Sequence, residues 1–255
     1  MNSSVSTNPS AKGLPVTIRG LRKSFGDQPV LKGLSFDIKA GEVFVLMGPS
    51  GSGKSVFLRH LIGLETPDAG EIRIGSELAT SESIGSKYHL AIVFQSGGLL
   101  NSLTVAENVG LYLTEHRLKL REEIDRIVAD KLALVKLGPD VAGKYPNELS
   151  GGMKKRVAIA RALVGDPQLI LFDEPTSELD PLVALTIGRE ILNLNQRIGA
   201  TSVVVTHDRD LAFGIADRIG FLNDGELVVL GTPAEIRASP HPLLQQFLAA
   251  DFKPE

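Results

Sequence analysis

Cysteine is absent from this chain, which removes disulfides and thiolate metal sites from consideration. Long apolar runs are missing as well. Nowhere do about 18 consecutive apolar residues occur, so no helical membrane span is expected. Basic charge is not in excess either: 27 Lys+Arg stand against 30 Asp+Glu, a net charge of −3. That balance argues against the basic surface a nucleic-acid binder needs. The stretch from Met1 to Gly13 lacks an apolar core segment and is rich in Ser, Asn and Thr. It reads as a disordered tail and not as a signal peptide. What is present is an apolar fraction of 43% over 255 residues, enough for one large domain or a core with a smaller inserted lobe.

Short strand-like segments recur along the chain. Val16 to Leu21, Leu34 to Ile38, Glu42 to Met47 and Glu71 to Ile74 are expected strands, with turns at Asp27-Gln28-Pro29 and Pro67-Asp68-Ala69-Gly70. Ala91 to Phe94, Leu169 to Phe172 and Ser202 to Val205 are continuous apolar runs, the pattern of parallel strands buried on both faces. Between Gln95 and Pro167 the period changes. Leu120, Ile124, Ile127, Val128, Leu132 and Val135 form a helical stripe opposite a charged face, ended by Gly138-Pro139. Met153 to Leu163 is a second helix and Thr104 to Leu111 a short third. A mainly helical lobe thus interrupts a strand-helix core. Arg218 to Leu222 and Glu226 to Leu230 form a hairpin around Asn223-Asp224-Gly225.

Chemistry enters at Gly48-Pro49-Ser50-Gly51-Ser52-Gly53-Lys54-Ser55, placed between an apolar strand and a helix running from Lys54 to Ile62. Glycines let backbone N–H groups converge on the α- and β-phosphates of a nucleotide. Lys54 sets a point charge near the β/γ oxygens, and the Ser55 hydroxyl can ligate Mg²⁺. The helix that begins there adds the positive end of its dipole. By itself this loop admits GTPases, kinases and many ATPases. The run Leu169 to Phe172 then ends in Asp173-Glu174. Asp173 can hold the Mg²⁺ hydration shell, and Glu174 can polarise a water for in-line attack on the γ-phosphate. Upstream, Ser150 is a natural N-cap before Gly151-Gly152 and the basic run Met153-Lys154-Lys155-Arg156, leaving N–H groups open to an anion.

With Leu149-Ser150-Gly151-Gly152 the chain resembles the ATP-binding cassette (ABC) ATPases, and the other motifs of that family follow in order from about residue 15 to 235. Gln95 matches the Q-loop, Ser177-Glu178-Leu179-Asp180 the D-loop and His207 the switch histidine. Phe25 stands where the family stacks an aromatic on adenine. The resemblance implies an α/β P-loop fold: a mainly parallel sheet with flanking helices, an antiparallel β subdomain and an inserted helical lobe at about 96–166. The cassette would span 14–239, with a C-terminal extension at 240–255. It also implies ATP and Mg²⁺ as ligands, with Gly48 to Val56 on the phosphates and Ser55, Asp173 and Gln95 at the metal. Glu174 and His207 would serve hydrolysis beside Lys54. Two copies would pair head to tail, so that Ser150, Gly151, Gly152 and Asp180 act on the partner's nucleotide. Glu178 departs from the family, which usually has Gly or a small residue there.

Three classes compete: the nucleotide-binding subunit of a membrane transporter, a soluble cassette ATPase, and a sensor that binds without turnover. A sensor would be expected to lose Glu174 or His207, and both are present. The ATPase subunit of another ABC importer or exporter and a lone soluble assembly-type cassette stay open. Gly53 to Arg59 and Leu149 to Val157, with Met153 where most importers place Gln, resemble the ATPases of MCE-type lipid transporters such as the Mla phospholipid system. The tail Pro240 to Leu248 resembles that group's C-terminal extension. The resemblance implies permease subunits, an MCE-domain protein as partner, lipid as cargo and a place at the cytoplasmic face of the membrane.

Overall fold

The computed structural model describes residues 13–80 and 87–249. The expected disordered tail therefore lies outside the described residues, save Gly13, which is buried. β1 (Val16–Phe25) and β2 (Gln28–Ile38) form an antiparallel hairpin, and β3 (Val43–Met47) leads into α1 (Lys54–Leu61). β4 (Ala69–Ile74) and β5 (Glu77–Leu78) complete a four-stranded antiparallel sheet of order β2-β1-β4-β5. After β6 (Leu90–Val93) come α2 (Val105–Glu115), α3 (Arg121–Leu134) and α4 (Gly151–Leu163), which pack on one another. β7 (Leu169–Asp173), α5 (Pro181–Ile198), β8 (Thr201–Thr206), α6 (Arg209–Ile215), β9 (Arg218–Asn223) and β10 (Glu226–Gly231) follow, then α7 (Pro233–Ala238) and α8 (Pro242–Ala249). The large sheet has order β10-β9-β3-β8-β7-β6, parallel except for β10.

The central strands explain why the sheet is covered on both faces. In β3, Val43, Val45 and Met47 join one apolar cluster with residues of α2 to α6, while Phe44 and Leu46 join another with α1 and the small sheet. A strand has a side-chain period of two, so a run without polar residues has no face to leave in water. Phe36 of the small sheet stacks on Phe44 at 5.2 Å between ring centroids, fastening the two sheets. Phe57, Leu58 and Leu61 seat α1 on the same face, each burial contributing about 1.5–3 kcal/mol. The phosphate loop is thereby held between a rigid strand and a rigid helix.

Several sequence expectations shift in detail. The first hairpin turns at Gly26-Asp27, not at Asp27-Gln28-Pro29: Phe25 pairs with Gln28, and Gln28 and Pro29 already belong to β2. Pro29 is tolerated because β2 is the edge of its sheet, where a missing N–H disrupts nothing. The apolar run at Ala91 to Phe94 is also an edge. Among the described residues β6 pairs only with β7, its first three residues are half-buried and Phe94 is exposed. α2 runs to Glu115, longer than expected, stabilised at its start by a capping box between Thr104 and Glu107. In α3, Val128 and Leu132 are buried, but Leu120 is the exposed N-cap instead of part of the stripe.

Candidate functional site

The loop after β3 enters α1 through Gly53, which caps the helix with φ +103° and gives it no side-chain hydrogen bond. A Cβ at Gly53 would also lie 2.8 Å from the Leu31 side chain, so glycine is required twice over. The first-turn N–H groups of α1 are left for a ligand, since no intrahelical carbonyl can reach them. Lys54 is buried, and its Nζ donates to the Gly48 and Pro49 carbonyls at 2.8 and 3.0 Å. Burial lowers its pKa, opposed by Glu174, whose Oε1 is 3.6 Å away. A desolvated ammonium beside Glu174, with Asp173 also favouring its charge, is poised to take a polyanion.

The strand ends supply the other groups. Ser55 Oγ donates to Asp173 Oδ1 at 3.1 Å, joining the first turn of α1 to the end of β7. Burial raises the Asp173 carboxyl, and the Ser55 hydroxyl pulls it the other way. Glu174 sits at φ +47°, uncommon for a residue with a side chain, and its N–H donates to the Val205 carbonyl at 3.0 Å. Its Oε2 accepts from Thr206 Oγ1 at 3.1 Å and from the His207 N–H at 3.2 Å, and meets His207 Nδ1 at 3.0 Å. β7 and β8 are neighbours in parallel register, so their ends present Asp173, Glu174 and His207 together.

A cavity of about 320 Å³ opens here. Ser50, Gly51, Gly53, Lys54, Ser55 and Val56 line it, joined by Gln95, Glu174 and His207. Gly48, Pro49 and Ser52 stand behind it, the first two holding Lys54 and the last buried. Val30 lines the cavity too. Sequence reading missed it because strand β2 was expected to begin only at Leu34. Phe25 is the last residue of β1 instead of a loop residue, and its ring is 46% exposed. It is not among the residues lining the cavity. Ser55 and Asp173, joined by a hydrogen bond, offer a hydroxyl and a carboxylate, and Gln95 brings an amide oxygen to the same cavity as Ser55. These hard oxygen donors suit Mg²⁺, which keeps waters and substrate phosphates as its remaining ligands.

Ser150, Gly151, Gly152 and Asp180 lie outside that cavity. Ser150 Oγ accepts from the Met153 N–H at 3.3 Å and caps α4, which therefore starts two residues before the expected Met153. A Cβ at Gly152 would meet Val183 Cγ1 at 2.6 Å, so this glycine also lets α4 approach α5. Asp180 Oδ1 accepts from the Leu182 and Val183 N–H groups at 3.1 Å, which makes Asp180 the N-cap of α5. The basic run after the glycines is not one surface. Lys155 is buried, and Arg156 Nε binds the buried Glu190 carboxylate at 3.2 Å.

Glu178 is exposed and held at φ +64°. That backbone favours Gly and strains a side chain by about 1–2 kcal/mol. Its negative charge acts on Lys155 rather than on open solvent alone. Glu178→Gly is expected to raise ATP turnover by easing closure of two cassettes; an unchanged steady-state rate in the assembled complex would retire the idea. His60, by contrast, is a packing residue: it is buried and its Nδ1 meets the Val56 carbonyl oxygen at 2.8 Å.

A family model described as ABC transporter matches residues 31–177. The chain is 42% identical over 240 residues to a Mycobacterium leprae protein named "Probable ribonucleotide transport ATP-binding protein mkl", covering 92% of this chain and 69% of that one. It is 38% identical to a sulfate/thiosulfate import ATP-binding protein of Caulobacter vibrioides, covering 89% of this chain and 67% of that one. Among solved structures it is similar to a dimeric ATP-binding cassette in a post-hydrolysis state with ADP and Pi. That likeness has a TM-score of 0.74 at 35% identity and covers 86% of this chain and 98% of that one.

Proposed function

The chain belongs to the ABC transporter family, and on that premise we propose that it energises an MCE-type, Mla-like transporter of phospholipid or other lipid. As an ATP-binding subunit of this family it binds ATP with Mg²⁺ and hydrolyses it. The observation that carries the lipid reading is Met153 directly after the signature glycines, together with the C-terminal extension. The extension is built into the fold as far as α8: Phe247 packs on Phe221 at 5.2 Å and Arg209 donates to the Leu248 carbonyl.

In the proposed mechanism the loop Gly48 to Val56 wraps the phosphates, Lys54 turning from its own loop carbonyls toward the β/γ oxygens. Ser55 and Asp173, with Gln95 lining the same cavity, would hold Mg²⁺, which would supply charge neutralisation for the phosphates. Glu174 takes a proton from the attacking water, and His207 steadies the γ-phosphate from beside it. Phe25 supports the adenine at the open edge. The separation of Ser150 to Gly152 from this cavity favours the head-to-tail dimer, in which they complete the partner's site. Ser150→Arg is expected to impair hydrolysis while nucleotide affinity of the monomer stays within about twofold, because a rim substitution far from a site is usually additive with it. Loss of monomer binding in an equilibrium titration would count against the trans arrangement.

No helix among the described residues is long and apolar enough to cross a membrane. In this reading permease subunits carry the membrane role, and the dimer works at their cytoplasmic face. A second reading, the ATPase of another importer, is favoured by the sulfate/thiosulfate relative. Affinity purification from detergent-solubilised membranes tests both. Recovery of a permease with an MCE-domain protein supports lipid transport. A permease with a different substrate-binding partner overturns that part, and soluble partners alone overturn the transporter reading.

A further inference from the structure

Lys155 stands one residue from Arg156 on α4, yet the two cations are treated differently. Arg156 has the Glu190 carboxylate, whereas Lys155, only 5% exposed, has three neutral oxygen acceptors from two separate segments, the one after β6 and the one after β7. Its Nζ donates to the Gln95 carbonyl, to the Glu174 carbonyl at 3.4 Å and to Ser177 Oγ at 3.5 Å. Each acceptor belongs to a working part. Gln95 lines the nucleotide cavity, Glu174 carries the candidate base, and Ser177 opens the turn that ends at Asp180. The Glu174 carbonyl also accepts from the Ser177 N–H at 3.2 Å and from Ser177 Oγ at 2.9 Å. These bonds converge on the residue held at φ +47°, where a side chain persists only if its surroundings fix it. Lys155 itself lies about one turn into α4, which begins at Gly151 after the Ser150 cap.

We infer that Lys155 is a positioning residue. Its ammonium clamps the backbone of Gln95 and Glu174 to α4, so that the chain's own hydrolytic carboxylate and the Ser150–Gly152 edge offered to the partner's nucleotide move as one piece. The inference rests on the reading of Glu174 as base and of Ser150 as acting in trans. It predicts that losing the clamp slows hydrolysis and uncouples the two sites without weakening nucleotide binding.

Lys155→Met keeps the length and packing of the side chain but removes the donor, so it tests the bonds to the Gln95 and Glu174 carbonyls apart from the volume that Lys155 fills. In the purified chain, Lys155→Met is expected to lower kcat about tenfold, the size of effect that residues along a coupling route have. KM and affinity for a fluorescent ATP analogue should stay near wild type and the Hill coefficient should fall toward one, while the thermal midpoint falls by no more than the few degrees that an unmatched carbonyl costs. Lys155→Arg should keep most of the turnover, since it retains charge and donors. If Lys155→Met does not fold, Lys155→Gln, with a shorter amide donor, should show the same split at smaller size. Wild-type kcat and cooperativity in the Met or Gln variant would overturn the inference, as would KM rising in step with the loss of kcat. Glu174→Gln in the same assay separates the two failures. If it turns over normally, the assignment of the base is wrong; if it is slow while Lys155→Met is normal, only the clamp is wrong.

Discussion

Lys54→Ala is expected to abolish tight ATP binding. Lys54 is the buried cation of the loop, 6% exposed, and the phosphates of the nucleotide would replace the loop carbonyls and the Glu174 carboxylate as its partners. Removing one member of a desolvated charge pair costs about 2–5 kcal/mol, which at 1.4 kcal/mol per decade is a loss of roughly 30- to several thousand-fold in Kd. The loss has two sources. The β/γ oxygens lose their point charge, and the Glu174 carboxylate, no longer balanced, repels the incoming triphosphate. Isothermal titration with ATP and Mg²⁺ measures it directly. An affinity equal to that of the unaltered chain would refute the site, because no other loop residue carries a positive charge.

Glu174→Gln is expected to separate binding from hydrolysis. Gln has the size of Glu, so one oxygen can still accept from Thr206 and from the His207 backbone, and the left-handed turn keeps its packing. What is lost is the proton acceptor and one negative charge beside the γ-phosphate. Loss of a general base lowers kcat by about 10²–10⁴. Loss of the charge leaves ATP affinity equal or higher, so the closed dimer accumulates. Phosphate release kinetics, paired with size-exclusion chromatography in ATP, reads both effects. Near-normal turnover would assign the base elsewhere, and slow turnover without a dimer would argue against closure on two nucleotides.

The site was legible in the sequence wherever chemistry depends on local chain geometry. Gly48 to Ser55 dictates its own conformation, since Gly53 both occupies a left-handed backbone and fits under Leu31. Asp173 and Glu174 were legible because four apolar residues point to the strand whose end they form. Ser150 was legible as a cap, because a hydroxyl accepting from an N–H three residues ahead is a local bond. Lys155 was not. Within the basic run it reads like Lys154, and only the packing of α4 against the strand ends turns one lysine inward. Val30 and the edge position of β6 were hidden for the same reason: an apolar run does not say how many neighbours its strand will have. α5, which α4 approaches at Gly152, went unread although its Asp180-Pro181 start is a good N-terminal signal.

Sequence alone therefore marked the strand-helix core, the inserted helical lobe and the candidate phosphate loop, because strand period, glycine backbone and helix caps act over a few residues, while the α/β P-loop class followed from the resemblance. The tertiary structure decided which of those residues meet. Strand order puts β8 between β3 and β7, and this brings Lys54, Glu174 and His207, from three distant segments, into one cavity. The same order leaves Ser150 and Asp180 outside it. Distances across a sheet are set by strand neighbours, and neighbours are set by long-range burial that no local pattern encodes.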